Sequence, residues 1–231
     1  MLRHSALFLL KPGNGTEEMK RMQMGSAYMR FTAVGPVAID FGSDLFGGSL
    51  HLYDTKPWDR TPRWRAAAAG PPSSFDVGLH LDFSDEAGLD AYNKDDVHHD
   101  VAVYNAEVSQ GELTARVDWW YDGDVPLITP GHVRHAAMFV WRDEIAEDAK
   151  SAAIDAVRRL EGADDVERLT MGTGVGSLKT DFDWILDVQL PDAEGAERFL
   201  ASEAYQEAMR EVSSATKHEW TARITHTMHG H

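Results

Sequence analysis

Two side chains suited to acid–base chemistry, Tyr92 and His98, lie six positions apart in the first half of the chain. An imidazole, with an unperturbed pKa of about 6.5, can remove a proton from an acidic methylene between two carbonyl groups. A phenol can donate a hydrogen bond to the oxygen on which negative charge then develops. Residues six apart lie on different stripes of a straight helix, so the two side chains converge only if the helix bends. Asp95-Asp96 could supply that bend by capping a new helix at Asp96.

The same residues also have structural interpretations. Tyr92 and His98 are equally explained by a helix-end histidine that water satisfies, beside a tyrosine of the core. His80 shares the polar face of a predicted strand with Asp76 and Asp82. That face could point into a cavity, where His80 would contact a substrate, or towards solvent.

Histidine and aspartate cluster in two further places, which are His98-His99 with its neighbouring aspartates and the C-terminal set His226, His229 and His231. Neither has the spacing of an established metal site. The chain has no cysteine, which removes thiolate ligands, disulfides and cysteine nucleophiles together. We therefore predict no metal and no cofactor.

A basic, aromatic segment interrupts the acidic first half at about residues 42–74 and carries Trp58, Trp64 and Arg63. One interpretation is a lid that presents arginine and tryptophan to an anionic aromatic or acyl substrate. The other is a surface loop that packs its tryptophans over an exposed sheet edge.

The charge balance argues against several classes of partner. Asp and Glu outnumber Lys and Arg by 38 to 22, which gives a formal net charge of −16 at pH 7. Such a surface repels phosphate backbones and anionic lipid, so neither nucleic acid nor membrane is an expected partner. No apolar stretch approaches the roughly 18 residues of a membrane span, and Ser5–Leu10 is too short for a secretory signal. We expect a cytoplasmic protein that binds a small molecule.

An internal repeat organises the chain. Arg3-His4 recurs as Arg134-His135, an offset of 131, and Glu112–Val117 recurs as Glu219–Ile224, an offset of 107. Two registers that hold over long stretches indicate a duplication, and they differ by 24 residues (131 − 107) because the first copy carries the insertion. The predicted organisation is a first module at 1–122, a linker at 123–131 and a second module at 132–231.

Each copy has the pattern strand, helix, strand, strand, helix, strand. Leu2–Leu10 and Val133–Trp141 fit a first strand, and alternating apolar residues in Phe75–Phe83 and Phe182–Leu190 indicate half-buried strands. The βαββαβ order predicts an α+β fold of two tandem ferredoxin-like modules with antiparallel sheets. The open face of each sheet is best covered by the other sheet. The two modules would then form one α/β barrel within a single chain, with a cavity between the sheets.

With His4 on the first strand, the Phe75-Asp76 strand and Tyr92-x5-His98, the chain resembles the stress-responsive dimeric α/β barrel (Dabb) family. The resemblance covers both halves and is thin in residues 42–74. The family's helix segment commonly reads Tyr-x-x-His-Pro-x-His, whereas Asp95-Asp96 replaces the His-Pro pair here. Because such barrels form from two modules, the resemblance implies a monomer with an intramolecular pseudo-dimer, or a homodimer.

Within that family the first half is similar to polyketide cyclases of the olivetolic acid cyclase type, which catalyse an aldol condensation. The resemblance implies catalytic roles for His4, Tyr28, Tyr92 and His98, with His98 as base, Tyr92 on the oxyanion, and His4 and Tyr28 orienting the substrate. The second half keeps His135 but has Phe199 and Tyr205 at the Tyr92 and His98 positions, which the offset of 107 relates. The chemistry is therefore expected in the first module alone.

The predicted function is a cofactor-independent cyclase or lyase that acts on a polyketide-like or β-dicarbonyl molecule. A non-catalytic, stress-associated ligand-binding barrel would use the same residues as polar core. A cofactor-free oxygenase is a third possibility, since related barrels do that chemistry. Fold resemblance by itself does not choose among the three.

Overall fold

The computed structural model describes residues 1–46, 75–125, 128–129, 131–175, 182–217 and 221–229. Trp58, Trp64 and Arg63 of the predicted insertion lie outside the described residues. Among the helices of the described residues, none is both long and apolar enough to cross a membrane.

The first four strands form one antiparallel sheet in the order β2-β3-β1-β4. Helix α1 starts where the Glu18 carboxylate accepts a hydrogen bond from the Gly15 amide at 2.8 Å. The elements are β1 (Leu2–Phe8), α1 (Thr16–Thr32), β2 (Ala38–Ser43), β3 (Val77–Phe83), α2 (Glu86–Asn93), α3 (Asp96–Val108) and β4 (Ala115–Trp120), with a 3₁₀ turn at Gly111–Leu113.

The second sheet repeats this topology in the order β6-β7-β5-β8. Its elements are β5 (Val133–Phe139), α4 (Glu147–Arg158), β6 (Arg168–Thr173), β7 (Trp184–Leu190), α5 (Ala193–Ala201), α6 (Glu203–Ala215) and β8 (Ala222–Thr227), with a 3₁₀ turn at Arg159–Gly162. The prediction of an α+β fold built from two tandem antiparallel modules is confirmed. The predicted second helix of each module is in fact two helices in sequence.

The two sheets pack face to face and close into one barrel. Apolar side chains of both sheets, among them Leu7, Trp119, Met138 and Ile224, share a single buried cluster. At one seam the Leu45 amide donates to the Thr225 carbonyl at 2.7 Å. At the other, isolated β-bridges join Trp119 to Gly174. The barrel is therefore made within one chain, as the duplication predicted.

Alternation along each strand divides the side chains between two covered faces. On β1, Leu2, Ala6 and Phe8 pack towards the helices, whereas Arg3 and Leu7 point to the other sheet. Strand β3 was predicted to be half-buried, but all seven of its residues are buried. The physical reason is that its polar face, which solvent would cover in an open sheet, lies against the second module.

A buried ion network joins the sheets at that polar face. The Arg3 guanidinium binds the Asp82 carboxylate at 2.7 and 2.9 Å and reaches Asp187 of the other sheet at 2.5 Å. Arg134, at the equivalent position of the second module, contacts Asp187 at 3.2 Å and Asp40 at 2.7 Å. Burial opposes charge on Asp187, but the two arginines outweigh it and lower its pKa. Charged side chains, and not the predicted ligand cavity, occupy this part of the space between the sheets.

Removing one arginine should destabilise the barrel strongly. Arg3→Met leaves the buried Asp82 carboxylate without its arginine and Asp187 with Arg134 alone, and breaking a buried ion pair typically costs about 3–5 kcal/mol of unfolding free energy. Arg158→Met is the matched control, because Arg158 makes an exposed ion pair with Asp155, and such pairs contribute about 0–1 kcal/mol. Urea denaturation of both variants measures the difference. Equal effects would show that the network does not hold the sheets together.

Three buried histidines should make the fold sensitive to mild acid. Burial lowers the pKa of His80, His226 and His135, the last to about 3. A histidine of the unfolded chain has a pKa of about 6.5 and binds a proton below that pH, whereas the buried histidine of the folded chain stays neutral. The free energy of unfolding therefore falls as pH falls. Each histidine contributes up to about 1.4 kcal/mol per pH unit between its two pKa values.

Denaturation between about pH 7.5 and pH 5 measures this slope. The variant His80→Gln can keep a hydrogen bond to Ser5, which His80 makes at 3.0 Å, and should reduce the slope by about one proton. An unchanged slope in this variant would rule His80 out as a source of the acid sensitivity.

Candidate active site

A break between two helices positions the Tyr92–His98 pair. Helix α2 ends at Asn93, and α3 begins at Asp96 with Asp95 as its N-cap. The Asp95 carboxylate accepts from the Val97 amide at 3.0 Å and from the Val34 amide at 2.6 Å, and these bonds lower its pKa. Across this break the rings of Tyr92 and His98 stack with their centroids 3.9 Å apart. The predicted bend at Asp95-Asp96 is present and brings the two side chains into contact.

The hydrogen bonding of His98 defines its basic nitrogen. Its Nδ1 lies 3.1 Å from the Tyr92 carbonyl oxygen. A carbonyl can only accept, so the neutral ring carries its proton on Nδ1 and its lone pair on Nε2. Burial lowers the pKa of His98, and the nearby charge of His4 lowers it further. His98 is therefore a neutral base at physiological pH.

His4 is held by a carboxylate that lies opposite it in the sheet. His4 and Asp118 are direct partners in the β1–β4 register, and His4 Nδ1 lies 2.5 Å from Asp118 Oδ1. Asp118 is buried, while His4 is partly exposed. A carboxylate on Nδ1 fixes the ring orientation and stabilises the imidazolium that forms when Nε2 takes a proton. The pair therefore has the arrangement of a histidine–carboxylate dyad.

His4 and His98 line one cavity of about 260 Å³ between the first sheet and helices α1 and α3. The expectation of a cavity between the two sheets is wrong for these residues, because His4 points to the helix side of β1 and the inter-sheet side holds Arg3. The lining residues are His4, Ala6, Phe8, Met29, Leu79, His98, Val101, Ala102, Asn105, Ala106, Ser109, Gly111, Thr114 and Arg116.

The Tyr92 ring packs against the His98 ring, and its hydroxyl is directed at Met29 and not at a ligand. The ring is buried, its hydroxyl faces Met29 Sδ at 3.8 Å, and burial raises its pKa. Tyr92 lies outside the group of described residues that line the cavity. This geometry does not support the predicted oxyanion role and fits a residue that positions His98.

Tyr28 and His80 lie away from this cavity. Tyr28 is 59% exposed on the outer side of α1, in a surface groove that α1 forms with α3. His80 is buried between the sheets, with Nδ1 3.0 Å from the Ser5 hydroxyl and its ring stacked on His226. Neither is placed to contact a substrate that lies between His4 and His98. The prediction that His80 contacts the substrate came from its place on the polar face of β3, and that face lies between the two sheets.

The equivalent place in the second module is filled. His135 is fully buried, with Nδ1 2.8 Å from the Thr225 hydroxyl and Nε2 2.9 Å from the Tyr205 hydroxyl. Both ring nitrogens are thus engaged, and burial lowers the pKa of His135 to about 3. Tyr205 occupies the position of His98, and Thr225 that of Asp118. The histidine at this position therefore has both ring nitrogens engaged in the second module, whereas in the first module His4 has a protein partner on Nδ1.

Two polar residues at the first site, Asp118 and Asn105, were missed. Nothing in the local sequence around either residue marks it as functional. The offset of 107 could have found them, since it pairs Asp118 with Thr225 and Asn105 with Val212. A polar residue in one copy that is weakly polar or apolar in the other is a detectable signal of specialisation.

Comparisons with known proteins agree on the fold. No protein-family model matches the chain, and no curated protein matches it in sequence. Among solved structures, an anthrone oxidase-like protein has a TM-score of 0.67 at 12% identity, with 100% of this chain and 92% of the other covered. A candidate monooxygenase from Fusobacterium nucleatum has a TM-score of 0.60 at 10% identity, covering 98% and 91%. A candidate monooxygenase from Lactobacillus acidophilus has a TM-score of 0.53 at 12% identity, covering 99% and 93%. At these identities the likeness shows that the whole two-module architecture is shared.

Proposed function

We propose that this chain is a cofactor-independent enzyme that removes a proton from a carbon acid, such as the methylene of a β-dicarbonyl compound, in the cavity of the first module. The observation that carries the proposal is the meeting of His4 and His98 at one cavity, each with Nδ1 engaged by the protein. Each ring thereby keeps Nε2 for proton transfer. In the second module the corresponding histidine has both nitrogens engaged.

The two histidines are suited to opposite roles. His98 Nε2 takes the proton from carbon, and the electron pair of the C–H bond moves onto the carbonyl oxygen as an enolate. His4 holds Asp118 on Nδ1, so its Nε2, when it carries a proton, donates a hydrogen bond to that oxygen. The Nδ1 of His98 faces a carbonyl oxygen and that of His4 faces a carboxylate, and this difference in partners suits one ring as the base and the other as the hydrogen-bond donor.

The enolate can then complete a cyclisation. Its carbon attacks a second carbonyl of the same molecule, one carbon–carbon bond forms, and the new alkoxide recovers the proton from His98. No electron acceptor is needed. This sequence corresponds to the cyclase or lyase chemistry expected from the resemblance to polyketide cyclases, with His4 in place of Tyr92 at the oxyanion.

A second candidate shares the first step. The enolate can instead transfer electrons to O₂ and form a hydroperoxide, which loses water to give a new carbonyl. The structural neighbours described as anthrone oxidase-like and as candidate monooxygenases favour this alternative. Because both routes begin with loss of the same proton, the proton-transfer step is the one to test first.

Replacing His98 should abolish most of the proton transfer. Exchange of the methylene protons of ethyl acetoacetate or ethyl benzoylacetate in D₂O, followed by proton NMR, measures this step without knowledge of the product. His98→Gln should slow exchange by roughly 10²–10⁴-fold, the usual contribution of a general base. His99→Gln is the matched control, because His99 is the exposed neighbour on the same helix and should keep the wild-type rate.

The outcomes separate the candidate functions. Oxygen uptake with anthrone as substrate would favour the oxygenase, whereas exchange without oxygen uptake favours the cyclase or lyase. If the wild-type protein does not accelerate proton exchange over the rate in buffer, the result would favour a non-catalytic ligand-binding barrel. Full exchange in His98→Gln would show that another group is the base.

The pH dependence of exchange should report the interaction between the histidines. A base whose pKa lies below its ordinary 6.5 stays neutral in mild acid, so the rising limb of the rate should inflect below that value. His4→Gln removes the positive charge that lowers the pKa of His98, so the inflection should move to higher pH. Rate profiles of wild type and variant test this. An inflection that stays in place would mean that the two rings do not interact.

A further inference from the structure

The helix α3 wall of the cavity contains a buried acceptor with no partner. Asn105 lines the cavity with His4 and His98, the residue is 5% exposed, and its Oδ1 has no hydrogen-bond partner among the residues that the structure describes. The hydroxyl of Ser109, the C-cap residue of α3, donates to the Asn105 backbone carbonyl at 2.6 Å and not to Oδ1. Because Asn105 lines the cavity, a molecule that occupies the cavity can supply a donor for Oδ1.

A buried acceptor without a partner lowers the stability of the folded protein unless a ligand donates a hydrogen bond to it. A buried polar group without a partner typically destabilises a protein by about 1–3 kcal/mol. Native proteins keep few of them, and each requires an explanation such as a bound ligand or water. Asn105 is also unnecessary for the packing of a helix in this fold, because the equivalent position of the second module is Val212, which is buried in the apolar core.

The replacement at Val212 belongs to a consistent set. His98 and Asn105, which line the cavity, and Asp118, which bonds to His4, correspond to Tyr205, Val212 and Thr225. The second module uses Tyr205 and Thr225 to satisfy His135 internally. The first module therefore keeps His98 and Asn105 beside one cavity, whereas in the second module Tyr205 bonds to the module's own histidine and Val212 belongs to the apolar core.

We infer that Asn105 is a specificity residue whose carbonyl oxygen accepts a hydrogen bond from a hydroxyl group of the ligand. The inference rests on the proposed function for the identity of the cavity, and it narrows the substrate class to carbon acids that also carry an enolic or phenolic hydroxyl. His4 and His98 act at the carbonyl portion of this molecule, and Asn105 binds the hydroxyl. The cavity of about 260 Å³ lies just below the range of about 300–1,000 Å³ for drug-sized ligands, so a one-ring or short-chain molecule fits it.

A pair of matched ligands tests the inference by equilibrium binding. The probes are 3-hydroxyacetophenone and 3-fluoroacetophenone, which have similar shapes but differ in their ability to donate a hydrogen bond. NMR titration of the full chain gives both dissociation constants. The wild type should bind the hydroxy compound about tenfold or more tightly than the fluoro compound, because a site built for a hydroxyl rejects an analogue that lacks it.

Two variants of Asn105 separate recognition from folding. Asn105→Val, which copies the second module, should reduce the preference to within about twofold while keeping affinity for the fluoro compound. Asn105→Asp keeps an acceptor and should keep a preference for the hydroxy compound. Glu107→Val is the control, since it makes an equivalent replacement at an exposed position of the same helix and should leave the preference unchanged.

Three results would overturn the inference: no binding of either ketone to the wild type, equal affinity for the two, or a preference that survives Asn105→Val. The readout is binding, so it is independent of catalysis. Absence of proton exchange together with a preserved preference would overturn the proposed function and leave the role of Asn105 standing. Proton exchange without a preference for the hydroxy compound would overturn the role of Asn105 and leave the proposed function standing.

Discussion

The ion network between the two sheets determines where this protein can hold a ligand. Arg3 and Arg134 share Asp187 and bring Asp82 and Asp40 into the same buried space. Arg3 pairs with Asp187 and Arg134 with Asp40 across the barrel, while Asp82 pairs with Arg3 in its own sheet. Separating these groups would leave buried ions without partners. Among the described residues, the cavity that His4 and His98 line is on the opposite face of the first sheet, under the helices. The alternation of β1 then decides which residues meet it, with His4 towards the ligand and Arg3 towards the network.

The duplicated modules show two ways of satisfying the same histidine. In the second module Thr225 and Tyr205 complete the hydrogen bonds of His135, so the ring contributes to packing. In the first module Asp118 supplies a charged partner on one side only, and His98 replaces the tyrosine that would close the other. A conserved helix–sheet geometry therefore gives a filled core in one copy and a cavity in the other. The difference depends on a few side chains and not on a change of fold.

Much of the fold could be predicted from the sequence because the signals were local or repeated. The two offsets located both modules, and the pair Asp95-Asp96 gave the helix break that stacks Tyr92 on His98. The assignment of faces could not be obtained in this way. Alternation on β3 separates polar from apolar residues, but it does not reveal whether the polar face meets solvent, a ligand or another sheet. His80 was placed with the substrate for that reason, although its face is the inter-sheet face.

The site residues that could not be identified from the sequence share one property, which is that their roles depend on neighbours distant in sequence. Asp118 acquires its role only through the β1–β4 register, which places it 2.5 Å from a histidine 114 residues away.

The packing of the helices over the cavity also affects the size of the cavity. Helix α1 approaches α3 at Gly25, where a β-carbon would lie 3.1 Å from Val101 Cγ1. Val101 lines both the cavity and the outer groove, so this contact forms the roof between them. In the second module the helix pair buries Ala153, Ala156 and Ala208, small residues that let the helices pack closely over a filled core. In the first module a single glycine gives close contact at one point, and space remains beneath it for a ligand. Close packing at the roof and polar groups beneath it are what a site needs to exclude water from a developing enolate while stabilising its charge.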